Sequence, residues 1–272
     1  MSSSVEVPAS ESAVAHPLEP LTGDEIASAV AILRAERALA DTVRFSYVAL
    51  DEPDKDELEA FAASGPIERR AAAVLIDRAT GTVSEAVVSL TDGRVCSWRD
   101  VEDVQPALLF EDCFEAIVAV KEDTRWQDAM RRRGITDFDR VQLDPWPAGR
   151  FGLDVETGRR LTRVLSYLRH DDADNGYAHP VEGVLVYYDF QSGKVVQVDD
   201  FGLVEIPAEC ANYGVDDVGG LRDDRTPLEI VQPDGPSFRV EGHEVLWQRW
   251  RFRVAMHPIH GLVLHTIGYE DG

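Results

Sequence analysis

The sequence predicts an α+β protein: two small duplicated domains, each a helix packed on an antiparallel sheet, followed by the opening strands of an incomplete β-sandwich. Three observations predict it. An apolar helical period followed by several short strand-forming runs occurs twice in the same order. Asp77-x-x-Thr80-Gly81-x-Val83 returns as Asp189-x-x-Ser192-Gly193-x-Val195; each lies between apolar strands and reads as a hairpin turn with glycine in a left-handed conformation. Strands and helices do not alternate as βαβα, which argues against a doubly wound dinucleotide fold.

The elements follow in order. Residues 1–17 are rich in Ser, Ala, Glu and Pro with no apolar period, and read as a mobile tail. Thr22-Gly23-Asp24-Glu25 fits a capping box. With Ile26, Val30 and Leu33 at helical spacing it predicts a helix over 22–40. Residues 43–50 predict a strand, 51–56 a charged turn, 57–63 a short helix or loop, and 70–77, 82–90 and 94–99 three more strands. The second domain opens with a helix over 110–120, whose apolar positions are Phe110, Phe114, Ile117 and Val118. A helix over 126–133 ends at a Gly134 cap, and strands follow at 141–143, 159–168, 184–190 and 194–199. Prolines and glycines over 200–236 predict a long connector, and 237–240, 244–254 and 261–269 three last strands. These readings divide the chain into a tail (1–17), a first domain (18–102), a second (103–200), a linker (201–230) and an opening β-sandwich piece (231–272). A piece that stops on a turn after an apolar strand reads as unfinished.

Charge and composition narrow the function. Lys and Arg number 27 against 50 Asp and Glu, a net charge of −23. Phosphate backbones and anionic membranes are repelled by such a chain, and a small cationic ligand is attracted. No run of eighteen apolar residues and no secretory leader pattern is present. Cys96, Cys113 and Cys210 are far apart and odd in number, which fits reduced, partly buried thiols in a cytoplasmic protein.

Several blocks carry a resemblance: His16-Pro17-Leu18-Glu19-Pro20-Leu21-Thr22, Tyr177-Ala178-His179-Pro180-Val181-Glu182-Gly183, Gln232-Pro233-Asp234-Gly235-Pro236-Ser237-Phe238, and Gly261-Leu262-Val263-Leu264-His265-x-Ile267-x-Tyr269-x-Asp271. In sequence and order they resemble the N-terminal portion of copper-containing primary amine oxidases. The resemblance implies two small α+β domains ahead of a β-sandwich catalytic domain. In the full enzyme it implies a homodimer with copper and topaquinone, which deaminates primary amines to aldehyde, ammonia and hydrogen peroxide. An aspartate base, a quinone-forming tyrosine and a His-x-His copper motif belong to that chemistry.

The sequence contains no His-x-His, and its one Asn-Tyr, Asn212-Tyr213, lies in the connector before Gly214. No catalytic residue, bound copper or bound quinone is therefore expected in this chain, which reads as an inactive fragment. The alternative is a non-catalytic assembly module built from duplicated α+β domains. His257-x-x-His260 with His265 has the residue types of a metal site. Pro258 and the odd spacing from His260 to His265 favour a turn followed by a strand instead. His179 reads as a satisfied structural histidine, and the acidic runs 51–59 and 171–174 as solvated turns. The resemblance offers Phe114 and Tyr177 as linings of the amine channel; core packing for Phe114 and turn packing for Tyr177 stand beside that reading.

Overall fold

Arg69 organises the start of the fold. The computed structural model of the protein describes residues 16–271, so most of the expected tail lies outside the described residues. Arg69 donates to the carbonyls of Pro17 and Glu19 at 2.9 Å and of Pro20 at 3.3 Å, and to the Glu25 carboxylate at 2.8 and 3.0 Å. The chain before the first helix is thereby folded against it. Helix α1 (Gly23–Arg37) carries the expected capping box between Thr22 and Glu25. It ends earlier than residue 40 because Ala38 turns left-handed (φ 47°) and lets Leu39 tuck into the core.

Strands β1 (Val43–Leu50), β2 (Arg70–Asp77), β3 (Val83–Ser89) and β4 (Arg94–Val101) form an antiparallel sheet in chain order. Alternation along β2 and β3 sends Ala73, Leu75, Ala86 and Val88 against Leu33 of α1. The charged run after β1 forms α2 (Lys55–Ala62), capped by Asp54, and Glu57 of this helix pairs with Arg70. The expected solvated turn is thus partly structural.

The second unit repeats this plan. Helices α3 (Phe110–Glu122) and α4 (Thr124–Arg132) cover one face of a sheet of β5 (Val141–Pro147), β6 (Leu161–Leu168), β7 (Val184–Asp189) and β8 (Lys194–Asp200), again antiparallel and in chain order. Trp126, with no exposed surface, is the centre of this core, and its indole N–H donates to Ser166 Oγ at 3.1 Å. β5 runs past Leu143 through Pro145 and Pro147; it is an edge strand, so the missing amide donors cost no ladder bonds.

Helix α3 overturns one expectation. Its buried side is Asp112, Ala116 and Val120, with Ile117 packed beside them. Phe110, Phe114 and Val118 point outward. Asp112 is buried in an ion pair with Arg160 at 2.7 Å, and Arg160 also lies over the Phe190 ring. The outer acidic residues of α3 face the first unit: Glu111 pairs with Arg44 at 2.8 Å, and Glu115 pairs with Arg78.

The matched hairpins are real turns, with Gly81 at φ 78° and Gly193 at φ 66°. They are not equivalent in topology. The first joins the second and third strands of its sheet, the other the third and fourth strands of its own. They meet each other instead: Gln191 Nε2 donates to the Ala79 carbonyl at 2.9 Å.

After the connector come four strands where three were expected: β9 (Phe238–Glu241), β10 (Glu244–Trp247), β11 (Trp250–His257) and β12 (Gly261–Tyr269). The predicted run 244–254 is broken by a two-residue reversal in which Gln248 adopts φ 56° and Trp247 pairs with Trp250. This third sheet lies against the first unit. Arg253 pairs with Glu19 at 3.1 Å, and Leu18, Ile26, Val48, Met256 and His265 line a cavity of about 270 Å³ between them.

Candidate functional site

Loop 169–180, between β6 and β7, concentrates the polar chemistry of the second unit. It leaves β6 through Arg169, whose guanidinium binds the carbonyls of Asp172 and Asp174, and is held from outside by Arg140 Nε on the Arg169 carbonyl at 2.9 Å. It returns through a 3-10 turn at Gly176–Ala178, capped by Asn175. The His179 carbonyl then accepts from Leu168 N at 2.9 Å, closing the loop.

Tyr177 sits on this turn with 59% of its surface exposed, in edge-to-face contact with Tyr167 at 5.0 Å between ring centres. A hydrogen bond to the ionised Asp144 pushes its phenol pKa up. Asp144, Gln142 and Tyr167 occupy the face of the sheet turned away from α3 and α4, because Val141, Leu143 and Val164 face those helices. Phe114 lies on the helical side, 55% exposed, in edge-to-face contact with Phe110 at 4.9 Å. The two residues expected to line an amine channel are therefore both at the surface, on opposite sides of the second sheet.

The connector is fastened to the same loop. Asn212 Oδ1 accepts from Asn175 N at 2.8 Å, and Asn175 Nδ2 donates to the Ala211 carbonyl at 2.9 Å. Asn212 is thus a clamp, while Tyr213 beside it is 86% exposed. His179 Nδ1 reaches the Pro207 carbonyl at 2.6 Å.

Between these clamps lies a group that sequence reasoning missed. His170, Asp174, His179 and Cys210 place one ligand atom each within 4.8 Å of one another. Asp174 was expected in a solvated turn, yet it is buried; the amide of His170 donates to it at 2.7 Å and holds its carboxyl below the usual range. The thiols differ from expectation too: Cys96 and Cys210 are exposed, and Cys113 is half-buried. The Cys210 thiol is pushed up, by local desolvation and then by the carboxylates of Asp174, Asp171 and Asp217. It is therefore a poor nucleophile. Four residues from two segments, at no familiar motif spacing, left no signal in the sequence.

The other histidine candidate does not converge. His257 and His260 stack at 4.5 Å in the turn between β11 and β12, and His257 Nδ1 accepts two backbone amides of that turn. His265 faces Glu52 at 3.8 Å. Neither these imidazoles nor the exposed Tyr213 fits a three-histidine copper site beside a quinone.

Two helix-on-sheet units joined to a third, four-stranded antiparallel sheet define the class: the N-terminal architecture of the copper amine oxidases. A family model described as the AGAO-like N2 domain matches residues 22–98, and the copper amine oxidase N3 domain matches residues 111–214. The chain belongs to the copper amine oxidase family through its N-terminal portion. It is 44% identical to a primary amine oxidase of Arthrobacter sp. (strain P1), over 95% of this chain and 39% of that protein. A copper-containing diamine oxidase of Nicotiana tabacum is 36% identical over 94% of this chain and 38% of its own length. The chain thus spans about two fifths of these relatives. In fold it is similar to a copper-containing benzylamine oxidase from Hansenula polymorpha, with a TM-score of 0.77 at 21% identity, covering 93% of this chain and 42% of that one. Among the described residues no helix is long and apolar enough to cross a membrane.

Proposed function

We propose that this chain is the N-terminal portion of a copper- and topaquinone-dependent primary amine oxidase, and that it is inert alone. The supporting observation is the unbroken similarity, 44% over 95% of the chain, to a primary amine oxidase. In such an enzyme the quinone accepts electrons from the amine, which leaves as aldehyde. No histidine or tyrosine arrangement among the described residues fits that machinery, so no chemical step is assigned to this chain.

Its contribution is shape. The exposed rings of Phe114 and Tyr177, one on each side of the second sheet, meet the amine channel of the catalytic domain at separate points, and the third sheet opens that domain. Apolar side chains left exposed on the third sheet, among them Trp250, Leu264 and Ile267, support the second point, because unpaired apolar sheet faces demand cover. The intact enzyme is a cytoplasmic homodimer; the three free cysteines fit a reducing compartment.

The test has two parts. Oxygen consumption with phenylethylamine and copper should be zero for the 272-residue chain. The coding sequence after Gly272 should continue into Asn-Tyr-Asp or Asn-Tyr-Glu and His-x-His. In that whole protein, Phe114→Ala and Tyr177→Ala should alter KM for bulky amines with little change in folding. Turnover by the short chain would refute the reading. A stop codon with no such segment nearby would favour a non-catalytic assembly module.

A further inference from the structure

We propose that His170, Asp174, His179 and Cys210 form a tetrahedral zinc site that staples the connector to loop 169–180 of the second unit. The site does not depend on the oxidase reading above.

Proton bookkeeping at His179 points to a cation. Its Nδ1 lies 2.6 Å from the Pro207 carbonyl, which only accepts, so Nδ1 carries the hydrogen. In the neutral ring Nε2 is then a bare lone pair. That atom is fully buried with no hydrogen-bond partner, and it faces Asp174 Oδ2, another acceptor, at 3.3 Å. The second oxygen of Asp174, Oδ1, is likewise buried and unpartnered. Two buried acceptors held this close need a positive charge between them. A proton on Nε2 would supply one, as an imidazolium 3.3 Å from the Asp174 carboxylate, but it would leave Asp174 Oδ1 without a partner and the adjoining His170 and Cys210 donors without a role.

Three of the six donor spacings match zinc. With bonds of roughly 2.0–2.2 Å to nitrogen and oxygen and about 2.3 Å to sulfur, a tetrahedron has N···O edges of about 3.3–3.5 Å and N···S edges of about 3.5–3.6 Å. Here His179 Nε2 to Asp174 Oδ2 is 3.3 Å, His170 Nδ1 to Asp174 Oδ2 is 3.4 Å, and His170 Nδ1 to Cys210 Sγ is 3.6 Å. The donors are two imidazoles, a carboxylate and a thiolate, a set that suits zinc and not the all-oxygen cations magnesium and calcium. Four protein donors leave no open position, which is the pattern of a structural site.

The surroundings complete it. The carbonyl bond at Nδ1 fixes the tautomer that a ligand histidine requires. Asp174 and His179 form a buried floor, while His170 and Cys210 are exposed. The exposed pair provides an entry path and is free to close the widest separation, 4.8 Å or less. The two asparagine bonds and the Pro207 bond hold the connector on either side of Cys210.

The experiment uses the metal-free 272-residue chain and Zn²⁺ competed against a chromophoric chelator. One equivalent should bind with Kd below about 1 µM, raise Tm, and slow cleavage of the connector. Co²⁺ in its place should show tetrahedral visible bands and a thiolate-to-cobalt band in the near ultraviolet. Cys210→Ser should abolish the near-ultraviolet band, and Cys210→Ser and His170→Ala should each weaken Zn²⁺ binding by about tenfold or more. Both positions are exposed, so circular dichroism should show an intact fold. The double variant His257→Ala/His260→Ala should bind as the parent does. Absence of micromolar binding, as a His179 imidazolium paired with Asp174 would give, overturns the proposal. So does affinity that neither surface variant moves, or that the His257/His260 variant removes.

Discussion

The second and third sheets each have four antiparallel strands, yet they are stabilised in opposite ways. The second has a core on its helical face, centred on Trp126 and Val164, and a smaller one on the other face around Leu161 and Tyr187. The third leaves Met256, Leu262, Leu264 and Ile267 exposed, and is attached to the rest through the Arg253–Glu19 pair and the cavity it covers. Strand count and pairing therefore say little about stability. What differs is how much apolar surface leaves water when the sheet forms.

Paired truncations test that contrast most strongly. Trp126→Ala should cost about 3–5 kcal/mol by urea unfolding. Leu264→Ala, at an exposed position, should stay within about 0.5 kcal/mol. Equal losses would erase the distinction. Asp112→Ala should cost about 3–5 kcal/mol by leaving Arg160 buried and unpaired. Gly183→Ala is expected to lose about 1–3 kcal/mol, since Gly183 sits at φ 76° and a Cβ there would come 2.6 Å from the Gly202 carbonyl.

A smaller effect separates the units by pH. Hydrogen bonds from Arg133 and then Arg132 hold the Asp200 carboxyl well below the usual carboxylate range. Its folded pKa is lower than its unfolded one, so its stabilisation is full above the unfolded pKa and fades as pH falls below about 4. Asp200→Asn should flatten the acid limb of a stability–pH curve for the second unit and leave that of the first unchanged. An unaltered acid limb would show that the arginines gain nothing from the pairing.

Much of the fold is legible from local chemistry. Thr22 with Glu25 announces α1, and Gly81 and Gly193 announce their turns, because each signal is completed within a few residues. The less legible parts depend on distant partners. The outward Phe110 and Phe114 look like core until the helix is placed, and what places it is the buried Asp112–Arg160 pair. The strand expected over 141–143 runs on through Pro145 and Pro147 because β5 is an edge, which only the assembled sheet reveals. The His170–Cys210 group is assembled by clamps from Asn175 and His179, which bring Cys210 of the connector to three residues of loop 169–180.

The grip of Arg69 on the leading segment has a practical consequence. The matched family model begins at residue 22, which invites trimming the protein there. A fragment cut at that point would strip one guanidinium of three carbonyl acceptors and deprive Arg253 of the Glu19 carboxylate, a contact bridging the first and last parts of the chain. Boundaries for expression should therefore be set upstream of His16, since the joint runs through residues that sequence matching leaves outside the domain.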